Sequence, residues 1–205
     1  MTHRGTIFVE DAEVLANEAF EGEQFIIRLQ APKTAAAARP GSFVHLRCDD
    51  LLAMRRPMSI MRASAAAGWI DILFKAHGHG TALLGGRRPG DVLSVMGPIG
   101  VPFRLEGYRR RPLLIGGGVG IPPMIYLAEH MRAADEDLQP LVLMGSEVPF
   151  PFRSRPSAIM VDGLPPDCLA AMPLLEDWHI ASRLASTQGY AGCFDGFVTD
   201  LARAW

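Results

Sequence analysis

Only three cysteines occur in the 205 residues, Cys48, Cys168 and Cys193, and no two of them form a C-x-x-C pair. That scarcity excludes a disulfide framework and leaves no four-thiolate set for zinc or an iron–sulfur cluster. An excess of either charge is also missing. Twenty basic residues against 22 acidic ones give a formal net charge of -2, far from the positive field that a nucleic-acid backbone selects, so no nucleic-acid partner is expected. Long hydrophobic runs are absent too. Met1 to Gly5 leads into an alternating segment, not into the apolar core of a signal peptide. The longest uncharged stretch, around Leu113 to Leu127, is broken by glycines and prolines and is too short to span a bilayer. The expectation is a cytoplasmic chain without membrane contact.

What is present suffices for folding. Apolar residues make up 49% and charged residues 20%, enough to bury a core, and the length accommodates two modest domains. Up to about Arg104 the chain is a series of short β-like runs: Thr6 to Leu15, Glu23 to Gln30, Ser42 to Arg47, Pro57 to Arg62, Trp69 to Phe74 and Asp91 to Met96. Pro40-Gly41, Ala67-Gly68, Pro89-Gly90 and Gly97-Pro98 punctuate them as turns, and Gly80 to Leu84 could start a short helix. Six short strands predict an antiparallel Greek-key β barrel, whose closure removes exposed edges.

From Pro112 the rhythm becomes strand, glycine turn, helix, strand. Leu113 to Ile115, Met124 to Arg132 and Leu141 to Met144 give the βαβ pattern of a parallel α/β sheet. Farther on, a helix is expected at Asp167 to Ala171, a third strand over Trp178 to Leu184, and a closing helix over Phe194 to Ala204; Ala35 to Ala38 reads as loop. The basic run Arg109-Arg110-Arg111 reads as a solvated linker, so the expected domains are 1–108 and 109–205, the second ending short for a parallel sheet.

Three segments could carry chemistry. In Arg55-Arg56-Pro57-Met58-Ser59-Ile60 a guanidinium stands at a strand entry, where it could grip a phosphate bidentately; a plain surface arginine is the bland alternative. In His77-Gly78-His79-Gly80-Thr81 glycines admit a ligand to the backbone, and a helix beginning at Thr81 offers free amides to an anion. His77 and His79 also invite a metal reading, but no third ligand stands nearby. The third segment is Gly116-Gly117-Gly118-Val119-Gly120-Ile121-Pro122-Pro123, which contains G-x-G-x-x-P where the common dinucleotide fingerprint has a third glycine. Proline suits a first helical turn, and the remaining amides there are expected to face a bound phosphate. Glu147, 27 positions after Gly120, stands where an acid often bonds the ribose hydroxyls of NAD, whereas Arg153 and Arg155 would welcome a 2'-phosphate.

Taken in order, Pro40-Gly41-Ser42-Phe43-Val44, Arg56-Pro57-Met58-Ser59-Ile60, Gly78-His79-Gly80-Thr81, Gly97-Pro98-Ile99-Gly100 and the glycine turn resemble the ferredoxin-NADP reductase superfamily. Within it the chain is most similar to the electron-transfer subunits of NAD-dependent dihydroorotate dehydrogenases. Arg55 to Ile60, Gly117 to Pro123 and Asp195-Gly196-Phe197-Val198-Thr199-Asp200-Leu201 carry that narrower likeness. The resemblance implies an FAD-binding barrel over 1–108, an NAD(H)-binding α/β domain over 109–205, and hydride transfer from NAD(P)H to flavin. It implies that Arg56 pairs with the FAD pyrophosphate, that Ser59 and the adjoining Pro57, Met58 and Ile60 meet the flavin ring, and that Gly78, Gly80 and Thr81 complete the phosphate cradle. Gly117, Gly118, Val119, Gly120, Ile121 and Pro122 would border the nicotinamide nucleotide. The implied partner is the catalytic subunit of dihydroorotate dehydrogenase, in pyrimidine biosynthesis. The family continues into a C-G-P-x-x-M segment and a cysteine-rich tail holding a 2Fe-2S cluster. This sequence has neither, so the reading is of a C-terminally shortened chain. A free-standing flavin or ferredoxin reductase and a non-catalytic module that keeps the fold stay open as alternatives.

Overall fold

Alternation builds the first half. In strand β1 (Phe8–Phe20) Glu10, Ala12 and Val14 are buried, while Val9, Asp11 and Glu13 face outward. The strand turns at Gly22 and Glu23, both with positive φ, into β2 (Gln24–Gln30). Helix α1 follows (Pro32–Ala37), and it replaces the loop expected at Ala35 to Ala38. The reason is distant in sequence: the amides of Lys33 and Thr34 donate to the Glu10 carboxylate at 2.9 and 2.8 Å, and the Thr34 hydroxyl donates to it at 2.7 Å. A buried carboxylate from β1 thus caps a helix that has no capping side chain of its own.

Then come β3 (Phe43–Leu46), β4 (Arg56–Ser59), β5 (Arg62–Ser64), β6 (Trp69–Lys75), helix α2 (His79–Gly85) and β7 (Val92–Ile99). The strands form one antiparallel sheet in the order β4-β3-β7-β1-β2-β6-β5. The single run expected over Pro57 to Arg62 is two strands, because the chain changes partner within it. The Ile60 amide donates to Ser42 O at 3.3 Å and the Met61 amide to Asp71 O at 2.8 Å. Those two residues join the outermost strands of the sheet, which must therefore curl back on itself in the manner of a barrel. The turn expected at Gly97-Pro98 is also absent: β7 continues to Ile99. Glycine permits this, since a Cβ at Gly97 would stand 2.6 Å from Val44 Cγ1. Val14, Ile27, Leu29, Val44, Leu46, Ile60, Ile70, Ile72 and Val95 fill the core, fully buried.

The structure describes residues 6–104, 107–135 and 137–205 of a computed structural model, and divides into two compact units, Met1–Phe103 and Arg104–Trp205. In the second, β8 (Leu113–Gly117) leads through one 3-10 turn (Gly118–Gly120) into α3 (Ile121–Ala134) and β9 (Leu141–Gly145). A two-stranded ribbon of β10 (Arg155–Pro156) and β11 (Ala170–Ala171) precedes α4 (Pro173–Asp177), β12 (Ala181–Ser186), β13 (Phe194–Asp195) and α5 (Val198–Ala204). Strands β13-β12-β9-β8 form a parallel sheet in that order. The helix expected at Asp167 to Ala171 is not formed. The amides of Leu169 and Ala170 donate to Gly192 O at 2.9 and 2.7 Å, and the helix begins only at Pro173. The closing helix likewise starts at Val198, because Phe194 and Asp195 pair with Ala185 and Ser186. Among the described residues no helix is long and apolar enough to cross a membrane.

Candidate functional site

Neighbouring arginines at the start of β4 have different surroundings. Arg55 is spent on the fold: its guanidinium donates to Ser94 O at 2.8 Å, Ser94 Oγ at 2.9 Å and His45 O at 3.3 Å, tying the approach to β4 to β3 and β7. Arg56, half-buried, donates from Nη1 to Met54 O at 3.1 Å. Its Nε and Nη2 lie against α2, where a Cβ added to Gly80 would come within 3.4 Å of Nε and 3.6 Å of Nη2. Two segments separated by more than twenty positions thus meet at one guanidinium.

Helix α2 begins at His79, two residues earlier than expected, after Gly78 at φ 115, a conformation that disfavours any side chain. The first amides of the helix, those of His79, Gly80 and Thr81, have no partner within it. The Thr81 hydroxyl donates to Gly78 O at 3.1 Å and so closes the turn. In and just after β4, Pro57 and Ser59 reach the surface, whereas the side chains of Met58 and Ile60 are buried in the core, leaving only their main chain for a ligand. Sequence reasoning missed Leu52, whose Cδ1 would lie 3.4 Å from a Gly80 Cβ; an apolar residue in a loop gave no signal. His77 and His79 are exposed, and among the described residues no three histidine, cysteine or acidic side chains converge on a possible metal position.

In the second unit the glycines divide by physical need. A Cβ at Gly116 would stand 2.7 Å from Gly120 O and 3.0 Å from Ile121 Cα, so the return of the backbone toward β8 demands glycine there. Gly118 has φ +52, and open space surrounds it and Gly120. Gly117, Gly118 and Val119 are exposed, with Val119 59% accessible. Ile121 and Pro122 are buried. The expectation of free amides on the first turn of α3 is corrected: Ile121 N–H donates to Gly118 O, and Pro122 and Pro123 have none to give. Any anion here would be met by the turn before the helix.

Glu147 lies exposed just past the carboxyl end of β9, the side of a parallel sheet on which ligands bind. Arg155 is engaged by Asp177 at 2.5 Å and by Pro173 O at 3.4 Å, which leaves the exposed Arg153 as the cation to weigh against Glu147. Ser186 ends β12 on that same side, and its Oγ accepts the Gln188 amide at 3.3 Å. The sequence offered no reason to single it out. A cavity of about 980 Å³ among Glu129, Arg132, Trp178, His179 and Trp205 lies at the opposite end, where β9 and β12 begin. Cys48 is in the first unit and Cys168 and Cys193 are in the second, where Cys168 adds to the rise of the Cys193 thiol; burial is the main cause of the rise in all three thiols, Cys193 to about 11.

Known proteins bear on this geometry. No family profile matches the chain. The chain is 37% identical over 127 residues to a protein of Desulforamulus reducens named dihydroorotate dehydrogenase B (NAD(+)), electron transfer subunit, with 60% of this chain and 48% of that protein covered. The protein of the same name from Streptococcus pneumoniae is 35% identical over 129 residues, covering 62% and 50%. The chain therefore spans about half the length of the curated relatives it matches. Among solved structures, the NADH-dependent reduced ferredoxin-NADP oxidoreductase superposes with a TM-score of 0.72 at 25% identity, over 92% of this chain and 60% of that one. The ferredoxin reductase of carbazole 1,9a-dioxygenase gives 0.73 at 22%, over 97% and 57%, a likeness of fold alone. The antiparallel curled sheet followed by a parallel α/β sheet is thus the ferredoxin-reductase fold, and the resemblance read from the sequence holds in both sequence and fold.

Proposed function

We propose that the chain is a flavoprotein electron-transfer subunit that takes hydride equivalents from NADH onto FAD and serves a dihydroorotate dehydrogenase partner. The observation that carries the reading is the Arg56 guanidinium lying against Gly80 at the start of α2, with Nε and Nη2 turned toward that space. A positive fork beside unpaired helical amides suits a pyrophosphate, and a side chain on Gly80 would occupy the room it needs. The residues present fit FAD on these grounds. Arg56 would hold its phosphates, the amides of Gly80 and Thr81 would complete the cradle, and Ser59 with the β4 main chain would face the ring. FAD, when bound, accepts a hydride and releases electrons singly.

The nicotinamide nucleotide would lie at the carboxyl ends of β8 and β9, with Gly118, Val119 and Gly120 beside its phosphates and Glu147 at a ribose. The open space at Gly120 supports that placement. Engagement of Arg155 by Asp177 weakens the case for a 2'-phosphate and favours NADH. Electron delivery to a partner would need a relay, and three thiols cannot supply the four donors of a 2Fe-2S centre.

Purification and denaturation test the reading: the protein is expected to be yellow and to release FAD, not FMN. Arg56→Ala should remove a charge-assisted contact of roughly 1.5 to 3 kcal/mol and weaken FAD about tenfold to a hundredfold. An unchanged FAD dissociation constant would sink the assignment.

A further inference from the structure

We infer that Arg87 is a positioning residue for the flavin-phosphate cradle, clasping the loop that carries Arg56 to the helix that carries Gly80. The inference rests on the FAD reading above, and concerns residues outside those assigned to the cofactor there. Gly80 sits at the start of α2, and Arg87 lies two residues beyond its end. Arg87 Nη2 donates to Asp49 Oδ2 at 2.8 Å and to Cys48 O at 2.9 Å. Asp49 in turn shapes the loop, its Oδ1 accepting the Leu51 amide at 2.9 Å and its carbonyl the Leu52 amide at 3.1 Å. The loop then returns Leu52 and Arg56 to Gly80. A ring of contacts is closed: α2, Arg87, Asp49, Leu52, Arg56, and α2 again.

The far end of that ring is anchored as well. Asn17, on β1, donates from Nδ2 to the carbonyls of Leu84, Gly85 and Arg87 at 3.2, 3.1 and 3.0 Å, tying the end of α2 and the turn after it to β1. Arg55 pins the loop's other end to Ser94. Between these pins, Leu51 and Met54 remain 94% and 71% exposed, so the loop has little apolar burial of its own to hold it. The Arg87–Asp49 pair is half-buried at both ends, each side chain 24% accessible. Arg87 Nε is buried without a partner. A cation held in this way is employed for geometry, because its position fixes two backbone segments at once. Both Arg56 and Arg87 lie near enough to Cys48 to oppose the rise that burial imposes on its thiol.

The test compares Arg87→Met, Asp49→Asn and Arg87→Lys with the parent chain, reading FAD affinity by fluorescence quenching and hydrogen exchange of the Leu51 and Leu52 amides in the flavin-free protein. Arg87→Met is expected to speed that exchange at least tenfold and weaken FAD about tenfold. Asp49→Asn, a milder change, should do the same in smaller degree, and Arg87→Lys should recover part of the loss. Arg56→Ala is run beside them. If Arg87 acts through Arg56, the double variant Arg56→Ala, Arg87→Met loses little more affinity than Arg56→Ala alone; a merely structural role would make the losses multiply. Full multiplication, or unaltered FAD binding in both Arg87→Met and Asp49→Asn while Arg56→Ala weakens it, overturns the inference. Unaltered binding in Arg56→Ala overturns the FAD reading instead.

Discussion

Arg55 and Arg56 are chemically identical neighbours, yet burial and bonding give them opposite employment. Three part-buried hydrogen bonds consume Arg55, two of them to backbone carbonyls. Arg55→Ala should therefore cost stability, about 1 to 3 kcal/mol by the usual cost of orphaned partners, and lower the melting temperature of the flavin-free protein. Arg56→Ala should leave that temperature nearly unchanged. Calorimetry on the two variants checks the division. A second prediction concerns Cys193, whose thiol burial pushes from 9.0 to about 11. Because the shift favours the neutral thiol, at pH 8 it holds about a hundredfold fewer thiolates than an ordinary cysteine, offset about tenfold by the greater nucleophilicity of a more basic thiolate. Labelling by iodoacetamide should be about tenfold slower than for a free thiol and should climb steeply up to pH 11. Cys48 and Cys168, 0% and 2% exposed, should react only on unfolding.

Among elements, the glycine turn between β8 and α3 gives a paired prediction. Gly116→Ala must push backbone atoms apart, at 2.7 Å from Gly120 O, and should cost roughly 1 to 3 kcal/mol, read as a fall in denaturant midpoint. Gly120→Val meets only open space at φ -86. It should fold and keep its flavin, while raising KM for NADH at least tenfold, measured by stopped-flow reduction. The sequence made this strand-turn-helix legible, since an apolar run, glycines and prolines are all local signals. The alternating runs of the first half were legible for the same reason. What escaped was governed by partners far along the chain: α1 forms because Glu10 caps it, and no helix forms at Asp167 to Ala171 because Gly192 accepts the amides of Leu169 and Ala170. In the candidate site, the residue types at Arg56, Gly78 and Gly80 could be read, but not which of two adjacent arginines was free, nor that Leu52 would lie beside Gly80. Side-chain direction at a loop end is decided by tertiary contacts that leave no periodic mark.

For the whole molecule, the proposed function predicts that this chain, expressed as it stands, carries no iron and reduces small diffusible acceptors with NADH in preference to NADPH. Iron analysis and paired stopped-flow traces check both, and stoichiometric iron or a clear NADPH preference would count against the reading. The order of strands in the first unit has a different kind of consequence. Strand β7 lies between β3 and β1, so it supplies the ladder between the β3–β4 hairpin and β1, while Ile60 and Met61 link β4 to β5 and β6 on the other side. Both of its neighbours are made long before it, and the pairing of Phe8 with Gly97 spans nearly the whole unit. During synthesis, then, the ribosome releases β1 and β3 with their facing edges open, and those edges stay unpaired until the last strand emerges. Such distant pairing slows folding and leaves edges available to other chains in the meantime. Nascent chains halted before Val92 should be cut readily by protease, and those halted well beyond Ile99 should resist it.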